Sequence, residues 1–145
     1  MNDDFPETYR GTVYPWQCDH MGHMNVMWYV GKFDEATWNL FAAIGITAAY
    51  LKEHRRGTAA VQQNITYRRE LHAGDTIVVR SAFLEARGKV AKFVHEMRNT
   101  QTDEISAICV LTGVSIDFQT RKSCPFPEEI IARAQALIRP YALPA

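Results

Sequence analysis

The chain has 145 residues, 47% hydrophobic and 22% charged, with Lys and Arg balancing Asp and Glu to zero net charge. That length fits one domain, residues 1–145, with a core that needs no staples, and the lack of a basic excess argues against a nucleic-acid partner. No apolar run approaches the roughly 20 residues that span a bilayer, so no membrane partner is expected, and the acidic start Met1-Asn2-Asp3-Asp4 is unlike a secretory signal.

Residues 1–8 read as a loose arm. Tyr9 to Trp16 is aromatic and β-branched and suits a strand, with Pro15 near its end where a missing donor is tolerated. A turn follows over Cys18–Asn25, in which Gly22 permits a tight or left-handed bend. Asn25 is a good N-cap for the next element. Met27, Val30, Phe33, Thr37, Leu40, Phe41 and Ile44 recur at spacings of three and four, which predicts an amphipathic helix stopped by Gly45. Residues 47–56 suit a second, short helix. Strands are then predicted over 58–69, Thr76–Leu84, Val90–Asn99 and Glu104–Phe118. Short turns at His72–Asp75, Glu85–Lys89 and Thr100–Asp103 join them. The last strand is apolar enough for the middle of a sheet. Residues 121–125 are expected as a loop. A C-terminal helix over about 126–139 carries Pro127 near its first position and Glu128 and Glu129 in its first turn. The prediction is an α+β fold: a five-stranded antiparallel meander wrapped around one central helix, with a second helix at the C-terminus.

The chemistry-bearing residues concentrate in the turn. Asp19 stands just before a helix start, where backbone N–H groups have no intrahelical partner and carry partial positive charge. A carboxylate beside such donors suits acyl chemistry, although on sequence chemistry alone a turn cap or a pairing with an arginine is the commoner use of such an aspartate. Asp19, His20 and His23 are residue types that zinc accepts, but no further ligand stands nearby in sequence, so no metal is expected. Cys18 reads more simply as a small buried side chain than as a nucleophile. The three cysteines, Cys18, Cys109 and Cys124, are odd in number and lack CxxC spacing, which predicts reduced thiols and a cytoplasmic location. Asp34 and Glu35 interrupt the helix's apolar face and read as solvated or interface acids. His54, His72 and His95 are given no role.

Asp19-x-x-Gly22-His23-x-Asn25-x-x-x-Tyr29, between a strand and a long helix, resembles the hotdog-fold acyl-CoA thioesterases. The 4-hydroxybenzoyl-CoA thioesterase-like group is the nearest. Gly74-Asp75 opening a β-branched strand after Tyr67-Arg68-Arg69-Glu70 points the same way, and the resemblance covers about residues 9–120. It implies hydrolysis of an acyl-CoA to a carboxylic acid and free CoA, with no cofactor beyond the CoA of the substrate. It also implies a homodimer or homotetramer with the acyl-CoA at the subunit interface. Asp19 would be nucleophile or general base, and the Val26 N–H an oxyanion donor of the kind worth about 3 kcal/mol. His23 and Asn25 would orient the turn, the carbonyl or the water. Trp16, Gly22 and Tyr29 would contact the substrate, and Arg68, Arg69, Arg87 and Lys89 would face the CoA phosphates. Two alternatives remain open: a hydratase-dehydratase acting on enoyl or 3-hydroxyacyl thioesters on the same fold, and a non-catalytic acyl-CoA-binding module.

Overall fold

A computed structural model describes residues 4–144. The elements are β1 (Glu7–Thr12), a 3-10 turn (Pro15–Gln17), α1 (Val26–Ala43), α2 (Ala48–His54), β2 (Arg56–Tyr67), β3 (Thr76–Arg87), β4 (Val90–Asn99), β5 (Ile105–Asp117), β6 (Lys122–Ser123) and α3 (Glu128–Ala136). The sheet order is β1-β3-β4-β5-β2, antiparallel throughout, with the two-residue β6 added beside β5 where a loop was expected. The sheet curls around α1, as in the hotdog fold.

The expected meander fails at one step. β2 pairs not with β3, which follows it, but with β5, so β2 forms one edge of the sheet. The connection over residues 68–75 is too long for a hairpin turn. It carries the chain across the strand ends instead, with Leu71 buried beneath the helix start. Its backbone is pinned there: Met24 N–H donates to the Leu71 carbonyl at 2.7 Å, and Gly74 N–H to the Val13 carbonyl at 2.8 Å.

Two expectations at the N-terminal end also change. β1 stops at Thr12, and Pro15, which lacks a donor for a sheet ladder, opens the 3-10 turn that presents Trp16. The arm expected over residues 1–8 is tied down within its described part, because Phe5 is buried against Val94 and Ile108 on the outer sheet face and β1 begins at Glu7. Residues 1–3 lie outside the described residues.

Helix α1 buries Tyr29, Phe33, Ala36, Leu40 and Phe41 against the concave sheet face. Phe33, Leu40, Phe41 and Ile44 match the predicted stripe, but Met27 and Val30 are 65% and 39% exposed. The sequence pattern merged two adjacent faces. One, through Tyr29, Phe33, Ala36 and Leu40, meets Phe83, Phe93 and Met97 of the sheet; the other, through Met27, Val30, Asp34 and Trp38, meets solvent. Each large apolar side chain withdrawn from water contributes about 1.5–3 kcal/mol. Phe126, Ile130 and Ala134 join the same core, so it draws on residues beyond 120. Pro127 caps α3 rather than opening its first turn.

Candidate active site

The Cys18–Asn25 turn is closed by its own backbone. Gly22 N–H donates to the Asp19 carbonyl at 3.0 Å and Asp19 N–H to the His23 carbonyl at 3.1 Å. Gly22 has φ of +88°, a region that side chains other than glycine's rarely adopt. Inside this frame the Asp19 carboxylate accepts from Met21 N–H at 2.8 Å and from Asn25 Nδ2 at 2.9 Å. The other end of the same amide caps the helix: Asn25 Oδ1 accepts from Met27 N–H at 3.0 Å. The hydrogen bond from Asn25 holds the Asp19 carboxyl below the usual carboxylate range, with the Met21 N–H and the nearby His23 and His20 acting in the same direction. Asp19 is therefore ionised at neutral pH.

Of the first amides of α1, Met27 N–H is taken by the Asn25 side chain and Trp28 N–H by the Asn25 carbonyl at 3.0 Å. Val26 N–H, the first of the helix, is the donor left open among the described residues. Beside it lies a groove of about 240 Å³, bounded by His23, Val26 and Tyr29 on one side and by Tyr67 to Glu70 on the other. Tyr29 meets Tyr67 edge to face at 5.2 Å, and burial pushes its phenol up to about 12, so it stays protonated. His23 Nε2 stands 3.7 Å from Glu70, whose other oxygen stands 3.8 Å from His72. At the rim Arg68 donates to the Pro144 carbonyl at 2.8 Å, and Arg69 pairs with Glu104 at 3.1 Å.

Asp19, Gly22, His23, Asn25, Val26 and Tyr29 thus gather at one turn and helix start, with Arg68 and Arg69 at the lip of the groove. Trp16 does not line it: the indole is exposed and stacks on Tyr14 at 4.5 Å. Arg87 and Lys89 lie at the other end of the sheet. Val90 pairs with Val114 while Arg68 bonds to Ser106, and eight residues of β5 at about 3.3 Å each separate the two levels by roughly 26 Å. The cause is β3 itself, which runs the length of the sheet from the 68–75 connection at its start to the β3–β4 hairpin at its end. No group of three or more His, Cys, Asp or Glu side chains is placed to hold a metal ion among the described residues.

Sequence reasoning missed three features. Glu70, which faces His23, was only part of a quoted stretch. A second cavity of about 120 Å³ lies between α1 and the β2–β5 pair, with Asp34, Thr37, Trp38 and Phe41 on its helix side. The third is a buried polar chain through His95. The ring stacks on Phe33 at 5.8 Å and bonds Thr37 at 2.8 Å and Ser81 at 2.5 Å, and Ser81 in turn bonds Thr8 at 2.7 Å. Thr37 spends its own proton on the Phe33 carbonyl, so His95 Nε2 donates and Nδ1 accepts from Ser81. Burial pushes the His95 pKa down to about 3, which keeps the ring neutral.

Comparison with known proteins places the chain in a family. Residues 13–134 match the thioesterase-like superfamily. A betainyl-CoA thioesterase from Pseudomonas aeruginosa is 25% identical over 138 residues, covering 94% of this chain and 87% of that protein. Among solved structures, a Staphylococcus aureus protein in complex with CoA superposes with a TM-score of 0.87 at 19% identity, covering 97% of this chain and 90% of the other. A 1,4-dihydroxy-2-naphthoyl-CoA thioesterase from Synechocystis superposes with a TM-score of 0.78 at 18% identity, covering 91% and 97%. The chain belongs to the thioesterase-like superfamily and is a hotdog-fold thioester hydrolase.

Proposed function

We propose that the chain hydrolyses an acyl-CoA through the Asp19 carboxylate and the open Val26 N–H, in a site completed by a second copy of itself. One observation carries this reading: the Asn25 amide bonds Asp19 at one end and caps α1 at the other, fixing carboxylate and helix start in one frame. As general base, Asp19 takes a proton from water, and the resulting hydroxide adds to the thioester carbonyl. The oxyanion accepts from Val26 N–H, and collapse expels the CoA thiolate, which takes the proton back from Asp19. As nucleophile, Asp19 adds directly, CoA leaves, and water cleaves the mixed anhydride. Both routes start from the ionised carboxylate. The kinship to a protein solved with CoA supports CoA as the thiol.

The dimer follows from an uncovered edge. β2 leaves a row of unpaired backbone groups, and residues 60–64 along it are exposed. Val61 is 60% exposed on that edge, and Met27, Val30 and Trp38 form the exposed stripe of α1 beside it. Antiparallel pairing of β2 with β2 of a second copy, centred near Val61 and Gln62, covers both surfaces. It also turns the partner's Arg87 and the partner's Lys89 toward the end of the sheet that holds His23, where Arg68 and Arg69 already stand. The basic residues remote from the groove in one chain then flank the CoA path in the pair. Three free cysteines fit a reducing, cytoplasmic setting, and no helix among the described residues is long and apolar enough to cross a membrane.

A thiol-release assay over short, long, branched and aromatic saturated acyl-CoAs tests this function. Saturated substrates have no double bond to hydrate, so release of CoA marks a thioesterase. Tight binding without release would mark a binding module. Water addition to an enoyl-CoA without thiol release would mark a hydratase.

A further inference from the structure

β1 covers only part of its neighbour. It begins at Glu7, opposite Arg80, so β3 beyond Ser81 has an edge that β1 does not reach. The chain after α3 fills it. Phe83 N–H donates to the Leu137 carbonyl and Arg139 N–H to the Phe83 carbonyl, each at 3.0 Å, and Gln135 Nε2 donates to the Ala86 carbonyl at 3.1 Å. Covering this edge needs nothing beyond Arg139. The chain nevertheless continues over the outer sheet face, where it is anchored twice more.

Tyr141 is the first anchor. Its hydroxyl donates to Glu96 Oε2 at 2.8 Å, and its ring lies 6.0 Å from that of Phe5. Glu96 is buried, and its other carboxylate oxygen accepts from Arg98 Nε at 2.7 Å. Withdrawing a donor from a buried carboxylate is costly, so this contact is a firm one. Pro144 is the second anchor: its carbonyl accepts from Arg68 Nη1 at 2.8 Å. Pro140 and Pro144 each fix a backbone angle, which reduces the entropy lost in laying the segment down.

Arg68 is where this segment meets the site. It borders the groove that holds His23, Val26 and Tyr29, and its own N–H donates to the Ser106 carbonyl at 2.8 Å. An exposed arginine samples many rotamers, and a ligand that needs one of them bears the cost of ordering it. The Pro144 carbonyl sets the direction of the guanidinium fork in advance, and a carbonyl carries no net charge to cancel that of the arginine.

We propose that residues 137–144 are a positioning strap for the active site: anchored on Glu96, they hold Arg68 at the lip of the groove, ready for an anionic group of the substrate. The proposal rests on the acyl-CoA reading given above, in which that group is a phosphate of the CoA portion.

Two variants loosen the strap. Removal of Leu143 to Ala145 takes away the Pro144 carbonyl, and Tyr141→Phe keeps the ring while losing the bond to Glu96. Free CoA is titrated into each by calorimetry. Thiol release is followed with an acyl-CoA and with the N-acetylcysteamine thioester of the same acyl group, which has no phosphate. The removal should weaken CoA binding and raise KM for the acyl-CoA by about tenfold, with kcat within about twofold, and Tyr141→Phe should fall between it and the unmodified protein. Hydrolysis of the N-acetylcysteamine thioester should be unchanged. In an Arg68→Gln background the removal should have little further effect, because the strap acts through that one side chain. CoA affinity that survives the removal, an equal fall in release from both thioesters, or a loss that adds in full to that of Arg68→Gln would overturn the strap while leaving the hydrolase reading in place. An unmodified protein that neither binds CoA nor releases thiol from any saturated acyl-CoA would overturn both.

Discussion

Asn25 has two duties that substitution separates. Aspartate caps a helix about as well as asparagine, but at this position it would set a second carboxylate where Nδ2 now donates to Asp19. Asn25→Asp should therefore leave the melting temperature nearly unchanged, lower kcat and move the acid limb of the pH–rate profile upward. Asn25→Ala should also lose about 1 kcal/mol of stability with the cap. His95 makes a prediction of a different kind. Its folded pKa, about 3, lies below the 6.5 of an ordinary histidine, so between those values the unfolded chain binds a proton that the folded chain refuses. Its contribution is neutral above pH 6.5, and stability then falls with falling pH by about 1.4 kcal/mol per unit down to the folded pKa. His95→Gln, which can still donate to Thr37 and accept from Ser81, should flatten that slope, as measured by urea unfolding at neutral and mildly acidic pH. At this scale Asp19, Gly22, His23 and Asn25 were legible because they are contiguous and their turn makes its own hydrogen bonds. Glu70 was not, because its significance comes from what lies across a groove. His95 looked idle because its partners, Thr8, Thr37 and Ser81, come from three separate elements.

Among the elements, β2 carries the most consequence. Strand periodicity located it to within two residues at either end, but periodicity does not say which strand pairs with which. The informative signal was the length of the connection after Tyr67, eight residues with Leu71 buried in it, where a hairpin would use two to five. The same limit applies to α1, whose cap and stop were readable while its two apolar stripes were not told apart. One stripe packs on the sheet, and the other is left uncovered in the single chain. Val61 marks the uncovered edge: it occupies the bulge between Ala60 and Gln62 in the β2–β5 ladder and is largely exposed. Val61→Glu should place like charges face to face across a β2–β2 pair. The expected result is a monomer by light scattering, with far-UV circular dichroism unchanged and thiol release lost. A dimer that persists with full activity would show that the copies associate elsewhere.

At the scale of the whole molecule, fold and site differ in how far one chain accounts for them. The hotdog architecture was legible from element order and the front motif, and it recurs at a TM-score of 0.87 with only 19% identity because the buried pattern, not the individual side chains, specifies it. The remoteness of Arg87 and Lys89 from Arg68 and Arg69 follows from β3, whose full length separates the two turns, a consequence of the predicted strands that grouping these basic residues overlooked. The account makes one carboxylate indispensable, and Asp19→Asn tests that most directly. The amide keeps the size of the side chain and removes its charge and basicity. Thiol release from the best saturated acyl-CoA should fall by about a hundredfold or more, with CoA binding, melting temperature and oligomer size unchanged. Hydrolysis that stays within a few-fold of the unmodified protein would contradict the account and move the chemistry to the His23–Glu70 pair.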